Sequence, residues 1–162
     1  MSPFDLLAHA VTLLANANAT EADLRRAVSA SYYALFNALT ASAADAVGRN
    51  VPDPMRHQLR RTFGHGEVLK VCSAYINDNA KGGQLPARPV SPELLRVCNG
   101  FKELIEAREN ADYDLSKVVS HANAIAYVDL ATDCVFLWDR ILGSTEAATF
   151  VATLYLIGRR RG

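Results

Sequence analysis

Three groups of residues have the types and spacing that could do chemistry. Arg108 and Asp112 stand one helical turn apart, at the end of a repeat that reads Leu94, Cys98, Phe101, Ile105, Arg108, Asp112 in steps of four and three. Earlier, Arg25, Ser29, Tyr32 and Phe36 recur at i, i+4, i+7 and i+11, so an otherwise apolar segment turns an arginine, a hydroxyl and a phenol to one side. Between the two, His65 lies between Gly64 and Gly66, where backbone can approach a ligand closely. Paired guanidinium groups hold phosphate or carboxylate bidentately. A histidine titrates near neutral pH and can move a proton. Tyr113, five residues past Arg108, has a phenol of pKa about 10 and is a poor base unless strongly perturbed. Such a set suits phosphate binding, or phosphoryl chemistry in which arginines steady the developing charge and His65 moves the proton.

A structural role is the alternative. Arg108 and Asp112 could pair only with each other, but an exposed pair of this spacing contributes only about 0.2–0.5 kcal/mol. A buried network joining them to Arg25, Ser29 and Tyr32, fixing how two helices dock, accounts better for two inward polar positions. Either way, one polar seam is expected from Arg25, Ser29, Tyr32, His65, Arg108, Asp112 and Tyr113.

Other chemistries lack their patterns. His9, His57, His65 and His121 fall on different elements without HExxH or paired Cys/His spacing, so no metal is expected. Lys81-Gly82-Gly83 lacks the Walker pattern, so no phosphate loop is expected; no GxSxG elbow occurs and Ser29 has no adjacent base, so no serine nucleophile is expected; and no cofactor is expected. Arg56, Arg60, Arg61 and the closing Arg159, Arg160 and Arg161 could follow a phosphate backbone. Solvated faces explain them more simply, and the final triplet also complements a helix C-terminus.

The elements that must position these residues are helical. Ser2-Pro3 opens a first helix with a core stripe of Phe4, Leu7, Val11 and Leu14. Thr20 with Asp23 forms a capping box for the central helix, which runs to about Val47 and stops at Gly48 and Asn50. Leu24, Val28, Leu35 and Leu39 line one side, and Ala27, Ala30, Ala34, Ala38 and Ala41 another, so this helix is expected to be buried. A third helix passes through Met55, Leu59, Val68, Val71 and Tyr75, with a kink or fresh start at Gly64-His65-Gly66. A mobile loop is expected over 77–89. Ser91-Pro92-Glu93 opens a fourth helix, Ser116 caps a fifth with Val119, Ala122, Ala126, Leu130, Cys134, Leu137 and Ile141 inward, and Ser144 caps a sixth.

The 162 residues suit one domain, 1–162, with a real core. Half are apolar and 21% charged, which excludes disorder. The formal net charge is zero, so binding to nucleic acid must use a local patch. Cys72, Cys98 and Cys134 form no CxxC pair and no signal peptide is recognisable, so a cytoplasmic protein with reduced thiols is expected. The apolar run 147–157 is too short to span a bilayer. The expectation is an all-α, antiparallel up-and-down bundle of five to six helices.

The segments LRRAVSASYYALF, His65-Gly66-Glu67-Val68-Leu69 and ARENADYD, in this order, resemble the HEPN superfamily. The likeness is nearest to stand-alone prokaryotic members with an SxxYYAxF helix and an ADYD segment, and covers about Leu24 to Asp114. It implies a helical bundle that often pairs as a homodimer. Many members are metal-independent ribonucleases, some of them toxins beside a nucleotidyltransferase antitoxin. Others bind nucleotides or RNA without turnover. The ribonuclease signature is an arginine followed after four to six residues by histidine. Arg108 matches the arginine, but Tyr113 occupies the histidine slot and His121 lies too far along, which leaves His65 as the substitute.

Overall fold

The computed structural model describes residues 1–77 and 90–158; the loop expected over 77–89, beyond Asn77, and the closing arginines lie outside the described residues. Seven α-helices occur among the described residues, and no strand: α1 (Pro3–Ala15), α2 (Glu21–Gly48), α3 (Asp53–Arg61), α4 (His65–Ile76), α5 (Pro92–Tyr113), α6 (His121–Ile141) and α7 (Thr145–Gly158). The fold is an all-α bundle. The glycine break at Gly64 makes two helices, α3 and α4, which brings the count to seven rather than the expected five to six.

Local sequence explains where the helices begin. Thr20 Oγ1 accepts the Asp23 N–H at 3.3 Å, and the Asp23 carboxylate accepts the Thr20 N–H at 2.9 Å, closing the capping box of α2. Ser2 and Asp5 form the same reciprocal pair at α1. Ser91 caps α5, with Pro92 at the first position. The cap of α6 is Ser120, four residues beyond the expected Ser116. Ser116 instead donates to the Asp114 carboxylate at 2.5 Å in the turn after α5.

α2 is the axis, in contact with α1, α3, α5, α6 and α7. Both its leucine side and its alanine side are buried, with Ala27, Ala34, Leu35 and Leu39 wholly covered. The main core joins Tyr32, Leu35 and Leu39 to Val68, Val71 and Cys72 of α4, Leu94 and Phe101 of α5, Trp138 of α6 and Phe150 of α7. Burial pushes the Cys72 thiol well up and the Cys134 thiol up to about 12, so both behave as small apolar side chains.

Two faces differ from expectation. On α1, Phe4 and Val11 are exposed, while Leu7 and Ala10 are buried. On α6, Ala122 and Ala126 face solvent, and the buried side reads Ala124, Val128, Leu130, Ala131, Cys134, Val135 and Trp138. Alanine on several faces leaves periodicity ambiguous, and packing against α2 chooses the phase. α5 and α6 pack tightly at Gly100, where a Cβ would stand 2.3 Å from Cys134 Sγ. No helix among the described residues is long and apolar enough to cross a membrane.

Candidate functional site

α2 and α5 run antiparallel, so residues climbing α2 meet residues descending α5. Arg25 meets the end of α5 and the turn beyond it, Ser29 meets Asp112, and Tyr33 meets Arg108. This register divides the expected seam into two parts.

Arg25 is a helix clamp. Its Nη1 donates to the Ala111 carbonyl at 2.9 Å and, at longer range, to those of Asn110 (3.3 Å) and Asp114 (3.4 Å). Nη2 donates to the Lys117 carbonyl, and to Glu21 at 2.8 Å. A cation at a helix C-terminus satisfies carbonyls that lack intrahelical partners and complements the helix dipole. The structure therefore does not bring Arg25 into a guanidinium pair with Arg108.

Around Arg108 the other part assembles. Its Nε lies 2.8 Å from Asp112 Oδ2. That is an ion-pair distance, but the Nε–H makes no well-aligned hydrogen bond. Ser29 Oγ donates to the same carboxylate oxygen at 3.3 Å. Arg108 Nη2 donates to the hydroxyls of Tyr33 (3.0 Å) and Tyr113 (3.1 Å). The guanidinium carbon lies 5.8, 5.6 and 5.1 Å from the ring centroids of Tyr32, Tyr33 and Tyr113, within cation–π range. Burial opposes the charge, but Tyr33, Asp112 and Tyr113 together outweigh it and hold Arg108 protonated. Among the described residues, Nη1 makes no hydrogen bond.

His65 joins this cluster from α4. Its Nδ1 is hydrogen-bonded to the Tyr32 hydroxyl, and its ring lies 4.5 Å from the Phe36 ring. Tyr32 and Tyr33 each lie within 6 Å of both His65 and Arg108, so the two rings bridge the imidazole and the guanidinium. Desolvation, and then the Arg108 charge, lower the His65 pKa below its usual 6.5, which favours the neutral ring at pH 7. Burial pushes the Tyr32 phenol far above its ordinary value.

The tautomer follows from what is buried. Tyr32 is fully covered, and its hydroxyl has no other hydrogen-bond partner among the described residues. A buried O–H needs an acceptor, so Tyr32 donates to Nδ1 and the proton of neutral His65 resides on Nε2. Nε2 makes no hydrogen bond among the described residues. At the next residue in the chain, a Cβ at Gly66 would meet nothing within 4 Å. Among the described residues the patch thus leaves two donors unpaired, His65 Nε2–H and Arg108 Nη1–H, with His65 at the positive end of α4.

Six of the seven expected residues are brought together: Ser29, Tyr32, His65, Arg108, Asp112 and Tyr113. Arg25 is placed apart from them. Tyr33 is the partner that periodicity missed, because it lies 100° around α2 from Tyr32. Its signal was the Tyr-Tyr pair itself. Among the described residues, no group of three or more His, Cys, Asp and Glu side chains is placed to hold a metal ion. Comparisons with models of known families, with curated proteins and with solved structures found no match.

Proposed function

We propose that this chain is an RNA-directed, HEPN-type module whose Arg108 and His65 together hold a phosphodiester. The observation that carries the reading is a single one. Three helices far apart in sequence bring a guanidinium and a neutral imidazole, each with an N–H left unpaired among the described residues, within 6 Å of the same two tyrosine rings. Two directed donors suit a phosphate's non-bridging oxygens. Asp112 holds the guanidinium in place, with Ser29 holding Asp112. The resemblance of the SxxYYAxF and ADYD segments to HEPN proteins supplies the RNA and the setting: a cytoplasmic, toxin–antitoxin-like pair, the chain acting as a homodimer beside a nucleotidyltransferase-like antitoxin.

Turnover is the second reading, favoured by the depressed His65 pKa. In metal-independent cleavage the 2′-oxygen gives up its proton and attacks phosphorus, and the P–O5′ bond breaks as the 5′-oxygen takes a proton from water and leaves as an alcohol, giving a 2′,3′-cyclic phosphate. His65 could take the 2′-hydroxyl proton only from the other tautomer, with Nδ1–H donating to Tyr32. The resting hydrogen bond opposes that arrangement, so binding without cleavage is the better-supported state.

Incubation of the purified protein with total RNA in EDTA, beside a filter-binding assay, tests both. Retention of RNA that is lost in Arg108→Ala and His65→Gln, with the RNA intact, supports binding. Cyclic-phosphate ends that vanish in the same variants support turnover. RNA retention equal in wild type and both variants refutes the site.

A further inference from the structure

Among the aromatic rings around Arg108, Tyr113 differs from Tyr32 and Tyr33 in being open to solvent, with 72% of its surface exposed at the last position of α5. An exposed aromatic alone carries no message. This one, however, is held by two contacts to a single group: its hydroxyl accepts from Arg108 Nη2, and its ring lies 5.1 Å from the guanidinium carbon. The ring is therefore oriented beside the cation. Its chain neighbours Asp112 and Asp114 are carboxylates, and they disfavour a second phosphate on that side. An uncharged, flat, polarisable group suits the place better.

We propose that Tyr113 is a stacking platform for a nucleobase, and that the site takes single-stranded RNA with one base on Tyr113 and the adjoining phosphate at Arg108 and His65. The inference rests on the phosphodiester reading and adds the class of strand and the residue that selects it. A duplex keeps its bases stacked on each other, so only an unpaired base can lie on an exposed ring.

The test is fluorescence anisotropy with a labelled 12-nucleotide 2′-O-methylated single strand, which 2′-hydroxyl attack cannot cleave, and with an abasic strand of equal length. Stacking is worth about 1–3 kcal/mol per base, which corresponds to roughly 5- to 140-fold in Kd. Tyr113→Ala and Tyr113→Leu should weaken the base-bearing strand by that factor and the abasic strand by less than about twofold. Tyr113→Phe, which keeps the ring, should bind within about threefold of wild type. The dependence of log Kd on log salt should not change in Tyr113→Ala, since no phosphate contact is lost. Equal losses on both strands, a Tyr113→Phe defect as large as that of alanine, or wild-type binding indifferent to the bases would each overturn the platform. Arg108→Ala read on the abasic strand tests the phosphate site by itself, so the two failures give different patterns.

Discussion

Replacing Arg25 separates a structural role from a ligand-binding one, and its cost can be worked from the contacts. The part-buried hydrogen bond to the Ala111 carbonyl is short and charge-assisted, worth about 1.5–3 kcal/mol. The bonds to Asn110 and Asp114 are long and add little. A cation at the end of α5 contributes a further ~0.3–1 kcal/mol, and the Glu21 pair about 0.2–0.5 kcal/mol. Arg25→Ala should therefore lower the unfolding free energy by about 2–4.5 kcal/mol. For a chain of this length that is a fall in Tm of roughly 4–18 °C. Arg25→Lys keeps the charge but not the fork, and should recover only the dipole contribution, about 0.3–1 kcal/mol. Urea unfolding followed by circular dichroism measures both. A loss below about 1 kcal/mol for alanine, or full recovery by lysine, would refute the clamp. Binding of an abasic strand, measured well below the transition, should be weakened far less by Arg25→Ala than by Arg108→Ala.

Three further outcomes follow from other parts of the molecule. Gly100→Ala places a Cβ 2.3 Å from Cys134 Sγ and should destabilise by about 1–3 kcal/mol through overpacking, with Cys134→Ala restoring part of the loss in the same urea assay. Ser42→Ala removes the acceptor of the Trp138 indole N–H, now 3.0 Å away, and should cost about 1–3 kcal/mol with a change in tryptophan emission. The His65 pKa is lower folded than unfolded, so the unfolded chain binds the proton first as pH falls. Stability from this group is full above pH 6.5, declines below it, and levels off below the folded pKa; His65→Gln should remove that decline between pH 7.5 and 5.5 in urea titrations.

Much of the scaffold was legible because it rests on local rules. The N-cap at Ser2, the capping box at Thr20, the break at Gly64 and the burial of α2 follow from side chains acting within a few residues. The faces of α1 and α6 were not, since alanine there lets several phases look apolar and only contact with α2 decides. Six residues of the cluster around Arg108 were legible in the sequence, but Tyr33 was not, nor was the separation of Arg25. Helical periodicity aligned Arg25 with Tyr32, yet seven residues of helix separate them by about 10 Å along the axis. At that height Arg25 reaches the carbonyls at the end of α5 and not the guanidinium of Arg108. His65 could be placed beside Tyr32 only by the packing of α4 against the bundle, a contact between residues 33 apart in sequence.

The most direct test of the phosphodiester site is the ¹⁵N spectrum of the His65 ring, titrated with a 2′-O-methylated single strand at pH 7.5. The expected result is a neutral ring protonated on Nε2, with Nε2 shifting saturably as strand is added, Nδ1 staying on Tyr32, and the response lost in Arg108→Ala. A ring protonated on Nδ1, or an Nε2 resonance unmoved by saturating strand, would contradict it.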